Sequence, residues 1–129
     1  MRVAIPSNNP GGLLAGRSEH FGHCDLFTVV EFDAQRGVND VTTIANGGHE
    51  AGGCLVPVQV LHNAAVNAII VGGMGARPLR GFADVGITVY FADQGAMKSV
   101  KDAVDGFVAD RLPVMHVDQA CQGSGNCHH

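Results

Sequence analysis

The chain has 129 residues, 46% of them apolar, which is enough to fill one core and to form one domain. Eight Lys plus Arg against twelve Asp plus Glu leave a net charge of −4, and there is no Trp and one Tyr. That balance supplies neither the basic face nor the stacking rings that nucleic acid requires. The longest apolar stretches, such as 64–74, fall well short of the roughly 20 residues of a membrane span, so no membrane partner is expected.

Met1 runs straight into an apolar segment, Arg2–Pro6, which reads as a short buried strand and not as a secretory leader. The expected location is therefore cytoplasmic, and the four cysteines are expected as thiols or metal ligands instead of disulfides. A long Gly/Asn/Ser-rich loop follows, from Ser7 to about Cys24, carrying Arg17, His20, His23 and Cys24. Loops of that length in a small domain are usually functional or disordered. Leu26–Phe32 and Val38–Ala45 read as the strands of a hairpin about the Arg36-Gly37 turn. A second glycine-rich loop, Asn46–Gly53, carries His49 and ends at Cys54.

Beyond Cys54 the periodicity changes. Val58, Leu61 and Ala65 have helical spacing over 54–65, with Pro57 tolerated in the first turn. Ala68–Val71 is continuously apolar, as in a strand covered on both faces, and stops at Gly72-Gly73-Met74-Gly75. Arg77–Val85 reads as a short helix, Gly86 as its C-terminal cap, and Ile87–Phe91 as the next strand. Val100, Ala103, Val104, Phe107 and Val108 form the apolar stripe of a last helix, with Lys98, Lys101, Asp102 and Asp105 facing out. A domain over 1–112 and a tail over 113–129 are expected, the tail beginning near strand-like Val114–Val117 and ending in Cys121, Cys127, His128 and His129. Right-handed crossovers then predict a three-layer α/β/α domain whose five-stranded mixed sheet runs in the order 3-2-1-4-5, with Arg2–Pro6 central.

Ligands of such sheets sit at the carboxyl ends of the parallel strands, where three glycine-rich segments are expected to converge. Gly52, Gly53, Gly72, Gly73 and Gly75 would let backbone N–H groups approach an anion there, or would only make turns. His20, His23, Cys24, His49 and Cys54 are candidate ligands, because imidazole and thiolate suit iron, copper, zinc and metal–sulfide clusters. No C-x₂-C pair is present, which argues against a structural zinc or a four-thiolate cluster. Met74 is either a core plug or a soft wall of the pocket. Arg17 and Arg77 either neutralise an anionic ligand at the rim or are solvated. Catalytic templates are missing: there is neither a G-x-S-x-G elbow nor a P-loop lysine, so no enzyme is expected.

Met1–Pro6, Glu19-His20-Phe21-Gly22, Asn46-Gly47-Gly48-His49 with Gly52-Gly53-Cys54, Ala68-Ile69-Ile70-Val71-Gly72-Gly73-Met74-Gly75, and Gly86-Ile87-Thr88-Val89-Tyr90 together resemble the dinitrogenase iron–molybdenum cofactor biosynthesis family. The resemblance covers about residues 1–110. It implies a ribonuclease H-like topology without nuclease activity, and binding of iron–molybdenum cofactor precursors or molybdenum–copper sulfide clusters. It makes His20 the principal ligand candidate, with His49 and Cys54 in the second loop. It also implies cluster donor and acceptor proteins as partners, for a monomer or weak homodimer. The competing readings are a mononuclear metallochaperone led by the Cys/His tail, and a small thiol or hydrolytic enzyme.

Overall fold

The computed structural model describes residues 1–9, 11–18, 24, 26–35, 37–45, 55–93, 95 and 97–115. The strands are β1 (Arg2–Ser7), β2 (Leu26–Phe32), β3 (Val38–Ala45), β4 (Ala68–Val71) and β5 (Thr88–Phe91). The helices are α1 (Leu55–Asn63), α2 (Ala76–Asp84) and α3 (Val100–Val108).

The sheet order is β3-β2-β1-β4-β5, as the sequence predicts, with β1 at the centre. The reason is burial on two faces. Val3, Ala4 and Ile5 of β1 and Ala68, Ile69 and Ile70 of β4 are fully buried, so both strands are covered on both faces, Arg2 at the start of β1 alone being partly exposed. β1 pairs antiparallel with β2, Ala4 opposite Val29, and parallel with β4, Ala4 opposite Ile69. β3, rich in Asn, Asp and Thr, is an edge that tolerates water, and a bulge at Glu31/Phe32 re-registers its pairing with β2.

Alternation along the strands feeds two cores. On one face, Ala4, Phe27, Val29, Ile69, Val71 and Val89 pack against Val58 and Leu61 of α1 and Leu79 and Phe82 of α2. On the other, Val3, Ile5, Val30, Phe32, Ala68 and Ile70 pack against Val100, Ala103, Val104 and Phe107 of α3. Phe107 is the pivot of that second layer, with its ring 5.2 Å from Phe32 and 5.3 Å, edge-on, from Tyr90. A capping box starts α3: Asp102 N–H donates to Ser99 Oγ at 3.1 Å, and Ser99 N–H to Asp102 Oδ2 at 3.3 Å. One expectation fails here. Val108 is 41% exposed, because the buried face of α3 is centred toward Ala103 and takes in Gly106, leaving Val108 on the far side.

The register decides where the loops open. Ser7 lies opposite Leu26, and Leu26 opposite Ala45, so β1 ends, β2 begins and β3 ends at one sheet edge. The parallel pairing of β1 with β4, and of β4 with β5, brings Val71 and Phe91 to that same edge. The segments 8–25, 46–54, 72–75 and 92–99 therefore all leave or enter the sheet from one side.

Candidate functional site at the carboxyl edge of the sheet

The first loop doubles back on β1. Asn8 N–H donates to Gly16 O at 3.0 Å and Ser18 N–H to Pro6 O at 2.9 Å, and Ser7 bridges Arg17. Gly11, at φ +78°, makes the tight turn, and a Cβ there would stand 2.7 Å from Leu26 Cδ1. The buried hydroxyls beneath it satisfy each other: Ser7 Oγ lies 2.8 Å from Thr28 Oγ1 and donates to Ile5 O, while Gly12 N–H reaches Thr28 Oγ1. The loop is also stitched to the start of α3. Arg17 N–H donates to Lys98 O, Val100 N–H to Ala15 O and Lys101 N–H to Leu13 O.

Arg17 does not stand on a rim. Its residue is 4% exposed, with Nη1 donating to Met97 O at 2.7 Å and Nη2 to Ala92 O at 3.1 Å. Burial lowers its pKa from the ordinary value, against the opposing pull of Asp93 and Asp102. A guanidinium stays charged through such a shift, and backbone carbonyls are what it binds here. The sequence reading placed this arginine at the ligand and overlooked the 92–99 segment altogether. The general rule that every parallel strand ends at the ligand edge, with the Asp93-x-Gly95 turn closed by Gly95 N–H on Asp93 Oδ1 at 2.9 Å, was the signal that could have found it.

Cys24 is 3% exposed and belongs to the α1/α2-face core, a position filled by a small hydrophobe. Met74 is half-buried and packs against that same core. Gly72, Gly73 and Gly75 are exposed, as is Arg77 in the first turn of α2. Gly75 is the N-cap of α2, at an ordinary φ of −71°, with no side-chain cap and no acidic residue in the first turn. A Cβ on Gly75 would meet only Pro78 Cδ, at 3.9 Å. Neither backbone nor packing requires glycine there, and the first-turn N–H groups of Ala76 and Arg77 have no acceptor within the helix, Pro78 having no N–H to offer. His20, His23, His49, Gly52, Gly53 and Cys54 lie outside the described residues. Among the described residues no group of three or more His, Cys, Asp or Glu is placed to hold a metal ion. Leu14, 90% exposed on the first loop, is a feature that apolar patterning did not flag.

Fold and edge together define a small α/β domain whose loops gather at the carboxyl ends of its parallel strands. The profile of the dinitrogenase iron–molybdenum cofactor family matches residues 1–110, and the chain belongs to that family. It is 30% identical to the uncharacterized protein MJ0580 of Methanocaldococcus jannaschii over 115 residues, 87% of this chain and 89% of the relative. The apo form of the orange protein from Desulfovibrio gigas superposes with a TM-score of 0.76 at 25% identity, covering 88% of this chain and 92% of that one. A Thermotoga protein described as a NifB protein superposes with a TM-score of 0.69, also at 25% identity, covering 88% and 91%. Family membership ties the chain to the biosynthesis or binding of the iron–molybdenum cofactor. No helix among the described residues is long and apolar enough to cross a membrane.

Proposed function

We propose that this protein binds an anionic metal–sulfide cluster, of iron–molybdenum or molybdenum–copper type, or a precursor of one, and carries it between a donor and an acceptor protein without catalysing a reaction. The observation that carries the reading is the open Gly72–Gly75 turn at an edge where the other glycine-rich loops also begin and end. At Gly75, smallness that the protein itself does not need is room for something else. Sulfides of a preformed cluster accept hydrogen bonds, and the bare start of α2 offers N–H donors with the favourable end of the helix dipole. Arg77 supplies a formal charge beside them. One or two side chains then suffice to anchor the metal, and His20 is the principal candidate, with His23, His49 and Cys54 as further ligands. Cys24, sunk in the core, is the weakest member of the set.

Purification without oxygen, followed by metal and sulfide analysis and a visible spectrum, tests the reading. Metal with stoichiometric sulfide is the expected result. His20→Ala should strip the cluster and leave the circular dichroism unchanged, and binding should fall as pH drops below about 6.5, where a proton competes for the imidazole. Metal held without sulfide, and lost on truncation after Asp118, would instead favour the tail-led mononuclear reading. Robust turnover abolished by one Cys or acid substitution would replace it with an enzyme.

A further inference from the structure

Two segments flank the exit of β4 at the carboxyl edge. β4 lies between β1 and β5, so the loop after β1 and the connection from β5 to α3 open on either side of Gly72. Strands two places apart in a sheet are separated by roughly 10 Å. One side chain joins the two segments across that gap. Arg17, from the first loop, donates through Nη2 to Ala92 O at 3.1 Å and through Nη1 to Met97 O at 2.7 Å. Ala92 is itself pinned to the end of β4, its N–H donating to Val71 O at 2.8 Å. Between Ala92 and Met97 the connection turns back, with Met97 N–H on Asp93 O at 2.8 Å and Gly95 N–H on Asp93 Oδ1 at 2.9 Å. The guanidinium thus grips both ends of that turn. The main chain continues the seam: Gly16 bridges Ser99, and Val100 N–H donates to Ala15 O and Lys101 N–H to Leu13 O, both at 2.9 Å.

We infer that Arg17 is a positioning residue for the cluster: by closing the first loop on the β5–α3 connection it fixes the two walls that flank the Gly72–Gly75 turn. The inference rests on the cluster-binding reading above and adds to it a residue that acts without touching the ligand. Burial is the reason for assigning it that role. Arg17 is 4% exposed, and both Nη groups are aimed at backbone carbonyls of its own chain. Filling the volume alone does not call for a charge, because a buried charge has a desolvation cost that an apolar side chain of similar length avoids. What the guanidinium alone supplies is a rigid fork of donors, here shared between the carbonyls of residues 92 and 97. Walls set in one shape before the ligand arrives lose less binding free energy to ordering. By linkage the effect is reciprocal: whatever closure of the seam adds to affinity, a bound ligand adds to closure.

Val100 and Lys101 are the first residues of α3 and have no acceptor within the helix, so exchange of their amide protons reads the seam directly. The full chain is titrated with tetrathiomolybdate and copper(I), unaltered and as Arg17→Lys and Arg17→Met. Lys keeps the charge without the fork; Met keeps neither. Both variants should retain native amide protection across β1 and β4 and exchange at least about tenfold faster at Val100 and Lys101. Both should bind the probe about tenfold more weakly, with the salt dependence of the unaltered chain. Bound probe should slow exchange at Val100 and Lys101 in the variants and, to a smaller degree, in the unaltered chain, which a clamp serving the fold alone would not show. Faster exchange with unchanged affinity in both variants would overturn the inference. So would amides of the unaltered chain that do not respond to bound probe, a measurement that stands even where a variant fails to fold. Affinity restored by Lys but not by Met would make Arg17 a charge partner of the ligand and overturn it as well. An unaltered chain that takes up no probe would overturn the carrier reading, and the inference with it.

Discussion

The turns 11–17 and 72–77 have the same composition, glycines followed by an arginine, and lie at the same edge of the sheet. In the first, Gly11 is held at φ +78° against Leu26, and Arg17 is buried with its guanidinium on the carbonyls of Ala92 and Met97. In the second, Gly75 has an ordinary φ and open space around its missing Cβ, and Arg77 is exposed. Gly11 and Arg17 of the first turn answer to the protein's own packing; Gly75 and Arg77 of the second do not. Composition identifies a glycine-rich loop, but only the neighbours show whether the glycine makes room for the chain or for a ligand.

Substitutions in matched pairs can break that contrast. The largest effect is expected from Arg17→Ala, which removes two charge-assisted hydrogen bonds and orphans two carbonyls; chemical denaturation should show a loss of about 3 kcal/mol. Arg77→Ala should leave stability within about 0.5 kcal/mol and weaken cluster binding by roughly tenfold to a hundredfold. Equal effects of the two on stability would erase the distinction. Gly11→Ala comes next, at about 2 kcal/mol, from a left-handed residue pressed against Leu26.

Cys24→Ser sharpens the division between core and ligand. Placing a hydroxyl in the α1/α2-face core should cost about 1–3 kcal/mol, with the cluster-to-protein ratio unchanged in the folded fraction. Cluster loss from fully folded Cys24→Ser would restore the thiol as a ligand. The smallest change in stability belongs to Gly75→Ser, where a better N-cap should leave the fold unaltered or a few tenths of a kcal/mol more stable. The same side chain would occupy the open turn, so cluster affinity should fall in direct titration. A fall in both would mean the turn serves packing after all.

Most of the fold was legible before any coordinates. β2, β3 and β4 have the bounds that the apolar runs predict, and α2 begins one residue earlier than expected. The site was legible only as a place. The carboxyl edge follows from strand order, but the roles of its residues do not: Arg17 was expected at the ligand and lies in the protein's interior, and Cys24 was grouped with ligands and packs with Phe27 and Val29.

What the sequence determined by itself is the set of elements and their order, because hydrophobic periodicity, caps and turn residues act over a few positions and each segment carries its own record of them. A strand without polar residues, such as 68–71, has to be covered on both faces, and that alone places it inside the sheet. What the tertiary structure decided is the side-chain roles along the edge. Arg17 meets its acceptors 75 and 80 positions away, at Ala92 and Met97. Gly11 is pressed by Leu26 and Thr43 across two other strands. Burial and hydrogen bonding of this kind depend on partners that come together only when the chain folds, so no local pattern around residues 11–17 distinguishes that loop from the one at 72–77.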